Sequence, residues 1–194
     1  MSSLEFSPSE IRLATVTLAA VTAAIPIIYH LRSSSYPPQE TTPHVRTARK
    51  YLQSYATLRP QALTANASKD FTHTVLPSSL QLPSRSLEPF QMHASMIFSL
   101  FKNFSMSPQP SPSSIHFSPA TNTVIAHCKM GGKVNGESEQ GAKLVKQGLD
   151  EWWTECVLFI EISEDGKKVV GVREFVHSAK AEELKNRLTG VLES

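Results

Sequence analysis

Residues 151–177 read EWWTECVLFIEISEDGKKVVGVREFVH. Residues 151–162 carry apolar side chains at both odd and even positions and are rich in aromatic and β-branched types. That pattern predicts a central strand, with one face on a core and the other under a helix layer or a second subunit. Glu164-Asp165-Gly166-Lys167-Lys168 follows as a turn, Asp-Gly being a hairpin signal, and residues 169–177 form the next strand. Upstream, TVIAHCKMG (123–131) has the two-residue period of a further strand. Val124, Ala126, Cys128 and Met130 share one face, and His127 with Lys129 takes the other. Residues 131–148 are rich in Gly, Lys and Glu and read as a long turn with at most one irregular helical turn.

The first half of the chain has a different period. Thr42 and Pro43 are a cap and a first helical residue, and Val45, Ala48, Leu52 and Tyr55 then form one apolar stripe. Pro60 breaks that helix or starts the next, and QALTANASK (61–69) reads as a short second helix ending before Asp70. KDFTHTVLPSSLQLP (69–83) holds a short strand in which Phe71, His73 and Val75 alternate with two threonines. A third helix spans residues 85–104, with Phe90, Ala94, Ile97, Phe101 and Phe104 on one face and His93 at its edge. The Pro/Ser cluster at 107–114 is a loop, and residues 178–192 are a polar C-terminal helix. Helices followed by a meander of long strands predict an α+β fold, with helices packed on one face of a curved antiparallel sheet. A cavity between the two layers is a natural small-molecule site.

The totals agree with one such domain plus an extension. The chain has 194 residues, 40% of them hydrophobic, and a net charge of +2. Basic residues are scattered, with no run interleaved with aromatics, so no nucleic-acid surface is expected. Cys128 and Cys156 give neither a metal spacing nor a disulfide framework and read as buried free thiols. No glycine-rich phosphate loop occurs, so no cofactor and no metal is expected.

Residues 13–31 contain no Asp, Glu, Lys or Arg, and Arg12 and Arg32 bracket them. The stretch is a candidate membrane anchor, although Pro26 interrupts it. The distribution of basic residues would then leave the folded domain in the cytosol. The organisation read from the sequence is an N-terminal extension over 1–36, a Ser/Pro-rich linker closing at 37–43, and a domain over 44–194.

Three stretches carry a resemblance: DFTHTVLPSSL (70–80), RSLEPFQMH (85–93) and WTECVLFIEISEDGKKVVGVREFVHS (153–178). Over about residues 44–180 the chain resembles the nuclear transport factor 2-like, or SnoaL-like, superfamily, and is most similar to small fungal SnoaL-like proteins. The resemblance implies a cone-shaped curved antiparallel sheet with helices packed on its concave face, enclosing a cavity. It also implies acid–base chemistry by cavity carboxylates, histidines and tyrosines on apolar substrates, as in ketosteroid isomerases, scytalone dehydratases and polyketide cyclases. The chain departs from these families in places. It has no adjacent Tyr-Asp pair on its first helix, and His177 stands where related sequences often have Asp.

Candidate catalytic residues are His73, His93, Glu174, Tyr55 and Asp70. His73 would work as acid or base on its strand, a place where related isomerases put their base. Asp70 is the alternative there, His93 sits one turn from Phe90, and Tyr55 would offer its hydroxyl to an oxyanion. Glu174 shares a strand face with Val170, Val172 and Val176, so its carboxylate lies among valines, an environment suited to proton transfer. Candidate ligand-binding residues are Phe71, Phe90, Ile97, Val172 and Glu155, the last on one face with Trp153, Val157 and Phe159, a face that belongs either to the pocket or to a dimer interface. Three functions remain open at this level. One is a cofactor-independent isomerase, cyclase or dehydratase of polyketide- or terpenoid-like metabolites. The second is a non-catalytic binder of a small apolar ligand. The third is an interaction module, a homodimer formed through the sheet and held at a membrane by 13–31.

Overall fold

The computed structural model describes residues 42–192. Residues 13–31, the candidate anchor, lie outside them. Among the described residues no helix is long and apolar enough to cross a membrane.

Helix α1 (Pro43–Ser54) starts as its sequence predicts, with Thr42 Oγ1 accepting from the Val45 amide at 3.2 Å and Pro43 in the first turn. Its stripe buries Val45, Ala48, Tyr51 and Leu52. Thr47 donates to the Gly166 carbonyl at 2.6 Å, which fastens α1 to the hairpin turn far along the chain. A 3₁₀ turn (Tyr55–Thr57) leads to α2 (Pro60–Leu63), shorter than the 61–69 pattern suggested. Leu63 is its one buried residue, too little to hold a longer helix on the core, and the chain turns into β1 at Ala67. Strand β1 (Ala67–Leu76) is therefore ten residues long rather than short.

Beyond β1 come β2 (Arg85–Ser86), α3 (Leu87–Ser99), β3 (Ser105–Pro108), β4 (Ile115–Ser118) and β5 (Thr123–Lys133). Phe101 and Phe104 are buried as expected but lie past the end of α3, where Phe101 bridges to Val134. The stretch read as a long turn contains a regular helix, α4 (Glu139–Lys146), capped by Ser138 Oγ on the Gly141 amide at 3.1 Å. Strands β6 (Glu151–Ile162) and β7 (Val169–Val176) form the predicted hairpin, and α5 (Ser178–Leu192) follows.

The sheet has seven strands among the described residues, in the order β2-β1-β7-β6-β5-β3, with β4 also on β5. The β5–β6 and β6–β7 ladders are antiparallel. One pairing corrects the all-antiparallel expectation. β1 runs parallel to β7, placing His73 opposite Val172. No tight turn joins these two strands, so their relative direction is not constrained by a hairpin. The sheet is thus mixed and open, with its inner face against the helices. That face buries Phe71, Val124, Leu158, Ile160 and Val172 at 1% exposure or less. Each such side chain contributes about 1.5–3 kcal/mol by leaving water.

Gly131 sits in β5 at φ +139°, and a Cβ there would stand 2.0 Å from the Trp152 carbonyl oxygen across the ladder. Gly131→Ala is expected to destabilise the domain by about 2 kcal/mol or more, because both the backbone and its neighbour must shift. A urea midpoint equal to that of the unsubstituted chain would show that the close approach is not needed.

Candidate functional site

Alternation along β1 turns Phe71 and His73 inward, and alternation along β7 does the same for Val172, Glu174 and Val176. The parallel register sets His73 beside Val172, two residues from Glu174 on the same strand face. The result is a contact between residues 101 apart in sequence, His73 Nε2 to Glu174 Oε2 at 3.1 Å. With Glu174 ionised, its Oε2 accepts and His73 Nε2–H donates. Both side chains are buried, His73 at 2% and Glu174 at 8% exposure. The other ring nitrogen, His73 Nδ1, has no partner among the described residues. Glu174 Oε1 makes no hydrogen bond among them either, on a side chain that lines a cavity.

That inner chamber holds about 150 Å³. His73, Glu174, His93, Tyr55, Phe90 and Ile97 all line it, so six of the residues singled out in the sequence converge on one space. Phe90 lies against the His73 ring, with centroids 4.5 Å apart. The Tyr55 hydroxyl shares a 3.1 Å hydrogen bond with that of Tyr51, one helical turn earlier. Burial pushes both phenols well above the usual tyrosine range, so each keeps its proton at neutral pH. His93 behaves oppositely. Burial lowers its pKa to about 4, with Arg85 and His73 adding smaller contributions in the same direction and Glu174 opposing them.

Four of the sequence candidates fall elsewhere. Asp70 is exposed, because β1 begins at Ala67 and the residue next to inward Phe71 faces outward. Glu155 is exposed too. The sheet packs its helices against Trp152, Thr154, Cys156 and Leu158, which leaves Glu155 on the outer face, where it accepts from His127 Nε2 at 3.2 Å. Phe71 and Val172 are buried behind the chamber rather than in its wall, Phe71 packing on Phe90 at 5.3 Å.

Trp152 also lines the chamber, and its indole N–H is buried without an acceptor among the described residues. The sequence marked both faces of β6 as apolar, so parity alone could not separate Trp152 from Trp153. Tyr51 was visible in principle as the residue four before Tyr55 on the same helical face. Arg85 lies opposite His73 on β2, close enough to bias His93 and to feel Glu174. Among the described residues no group of three His, Cys, Asp or Glu side chains could hold a metal ion.

The low pKa of His93 has a consequence for stability. In the unfolded chain the imidazole takes up its proton near 6.5, and in the folded chain near 4. Between those values the unfolded state binds the extra proton, so this contribution is fully present above about 6.5 and is lost as pH falls toward 4. Urea midpoints are expected to fall across that window in the unsubstituted chain and to fall less in His93→Gln. Equal slopes in the two proteins would remove His93 as the cause.

No family model matches the sequence, and no curated protein aligns with it. Solved structures do match. The BvnE pinacolase from Penicillium brevicompactum superposes with a TM-score of 0.65 at 14% identity, covering 77% of this chain and 96% of its own. AusH from Aspergillus nidulans gives 0.60 at 20% identity, over 73% and 88%. A putative SnoaL-like polyketide cyclase from Shewanella putrefaciens gives 0.56 at 9% identity, over 74% and 96%. These likenesses establish a nuclear transport factor 2-like, SnoaL-like α+β fold. At such identities they speak to fold, and the chemistry has to come from the chamber itself.

Proposed function

We propose that this chain is a cofactor-independent acid–base catalyst that isomerises, cyclises or dehydrates an apolar, polyketide- or terpenoid-like molecule. The observation that carries the reading is the His73–Glu174 pair, buried at the wall of an apolar chamber with one carboxylate oxygen uncommitted. Each of these reactions needs a proton taken from carbon or oxygen and a proton delivered nearby. Glu174 Oε1 is the base, and His73 Nε2–H holds the carboxylate through Oε2 and stabilises it when charged. The Tyr55 hydroxyl, which keeps its proton, is a donor for an oxygen that gains negative charge, and Tyr51 fixes its orientation. Neutral His93 is a second acceptor or donor in the same space. The pinacolase and cyclase likenesses agree with a rearrangement on this fold and support the reading without selecting a substrate.

The test uses the full chain in D₂O. Cyclic ketones that raise its melting temperature are incubated with it, and deuterium uptake beside the carbonyl is followed by mass spectrometry. At least one bound ketone should exchange faster with the unsubstituted chain than with Glu174→Gln. A set of bound ketones none of which exchanges would overturn the catalytic reading and leave a ligand-binding cavity.

A further inference from the structure

The inner chamber adjoins a second space of about 460 Å³ between the 78–82 turn, α3 and α5. The two share five lining residues, His93, Ile97, Trp152, Ala181 and Leu184, which lie between them. Volume decides what each can hold. An apolar cavity of roughly 150 Å³ takes up one benzene-sized ring, and whole drug-sized ligands occupy about 300–1,000 Å³. The chamber that contains Glu174 is thus of a size for one ring, and the outer one is of a size for several. Apolar side chains of Leu80, Met96 and Leu188 wall the outer chamber, while Gln81, Gln140 and Lys185 add polar ends to its lining.

We infer that the outer chamber is a second subsite continuous with the inner one, which binds the non-reacting apolar body of a multi-ring substrate while one oxygen-bearing ring passes between the shared residues to Glu174. The inference rests on the catalytic reading only for which end reacts. Remote contacts of this kind hold the reacting ring in place, so a truncated substrate binds weakly and reacts slowly. Trp152, which lines both spaces, marks the junction between them.

The probes are cyclohexanone, 2-decalone and a perhydrophenanthrenone, titrated into the full chain by calorimetry. Affinity should rise with ring number, the three-ring ketone binding at least tenfold tighter than the one-ring ketone. Met96→Trp and Leu188→Trp each narrow the outer chamber at a residue that does not line the inner one. Combined, the two should remove most of that gain and leave cyclohexanone binding within about twofold, which also shows that the variant is folded. Equal affinity for the three ketones would overturn the subsite, as would a gain that survives both substitutions. Ring-number dependence without deuterium exchange would keep the subsite and reject the catalytic reading. Exchange without ring-number dependence would do the reverse.

Discussion

Glu174→Gln is expected to slow proton transfer from a bound ketone by roughly 10²- to 10⁴-fold, the usual range for removing a positioned general base. Its urea midpoint should be no lower than that of the unsubstituted chain. Gln has the shape of Glu and keeps an oxygen where His73 Nε2–H can donate, so the packing around β7 need not change. What it lacks is basicity. The buried site also loses a charge that was costly to hold there. Activity and stability are therefore expected to separate, which distinguishes a catalytic carboxylate from a structural one. Unchanged exchange in Glu174→Gln would move the base elsewhere in the chamber, with His93 next in line because it is neutral and lines the same space.

How much of this was legible in the sequence depends on the range of the interaction. The hairpin of β6 and β7 could be read because twelve strand residues and an Asp-Gly turn are local signals. The start of α1 could be read because its cap and proline are adjacent. His73 and Glu174 were each marked by a polar residue at an inward strand position. Their contact was not readable, since it depends on β1 joining β7 in parallel, and no local signal sets that register. Glu155 shows the opposite failure. On a strand apolar on both faces, parity says which residues go together but not which set goes inward. The outer chamber depends on where α5 lies against α3, which a polar helix with few buried residues does not announce.

The same pair yields a second large effect, this time in stability. His73→Phe should destabilise the domain by about 3 kcal/mol or more, because it strands the Glu174 carboxylate, 8% exposed, without its donor. Glu174→Leu should cost about 1–3 kcal/mol, leaving a buried imidazole with neither ring nitrogen bonded. The double variant is the informative one. Phenylalanine at 73 would lie against Phe90, which already packs on the His73 ring, and leucine at 174 would join Val172 and Val176. A buried polar pair replaced by apolar side chains of similar size is often neutral or stabilising. The double variant should therefore unfold within about 1 kcal/mol of the unsubstituted chain, or above it, and catalyse nothing. Urea denaturation of the four proteins at one pH closes the cycle. If the double variant instead loses the sum of the two single effects, the pair supports the sheet rather than the chemistry. His73 Nδ1 argues against that outcome. Among the described residues that buried nitrogen has no partner, a loss that a contact kept for stability would tend to avoid and that one kept for proton transfer can carry, because the activity requires the imidazole.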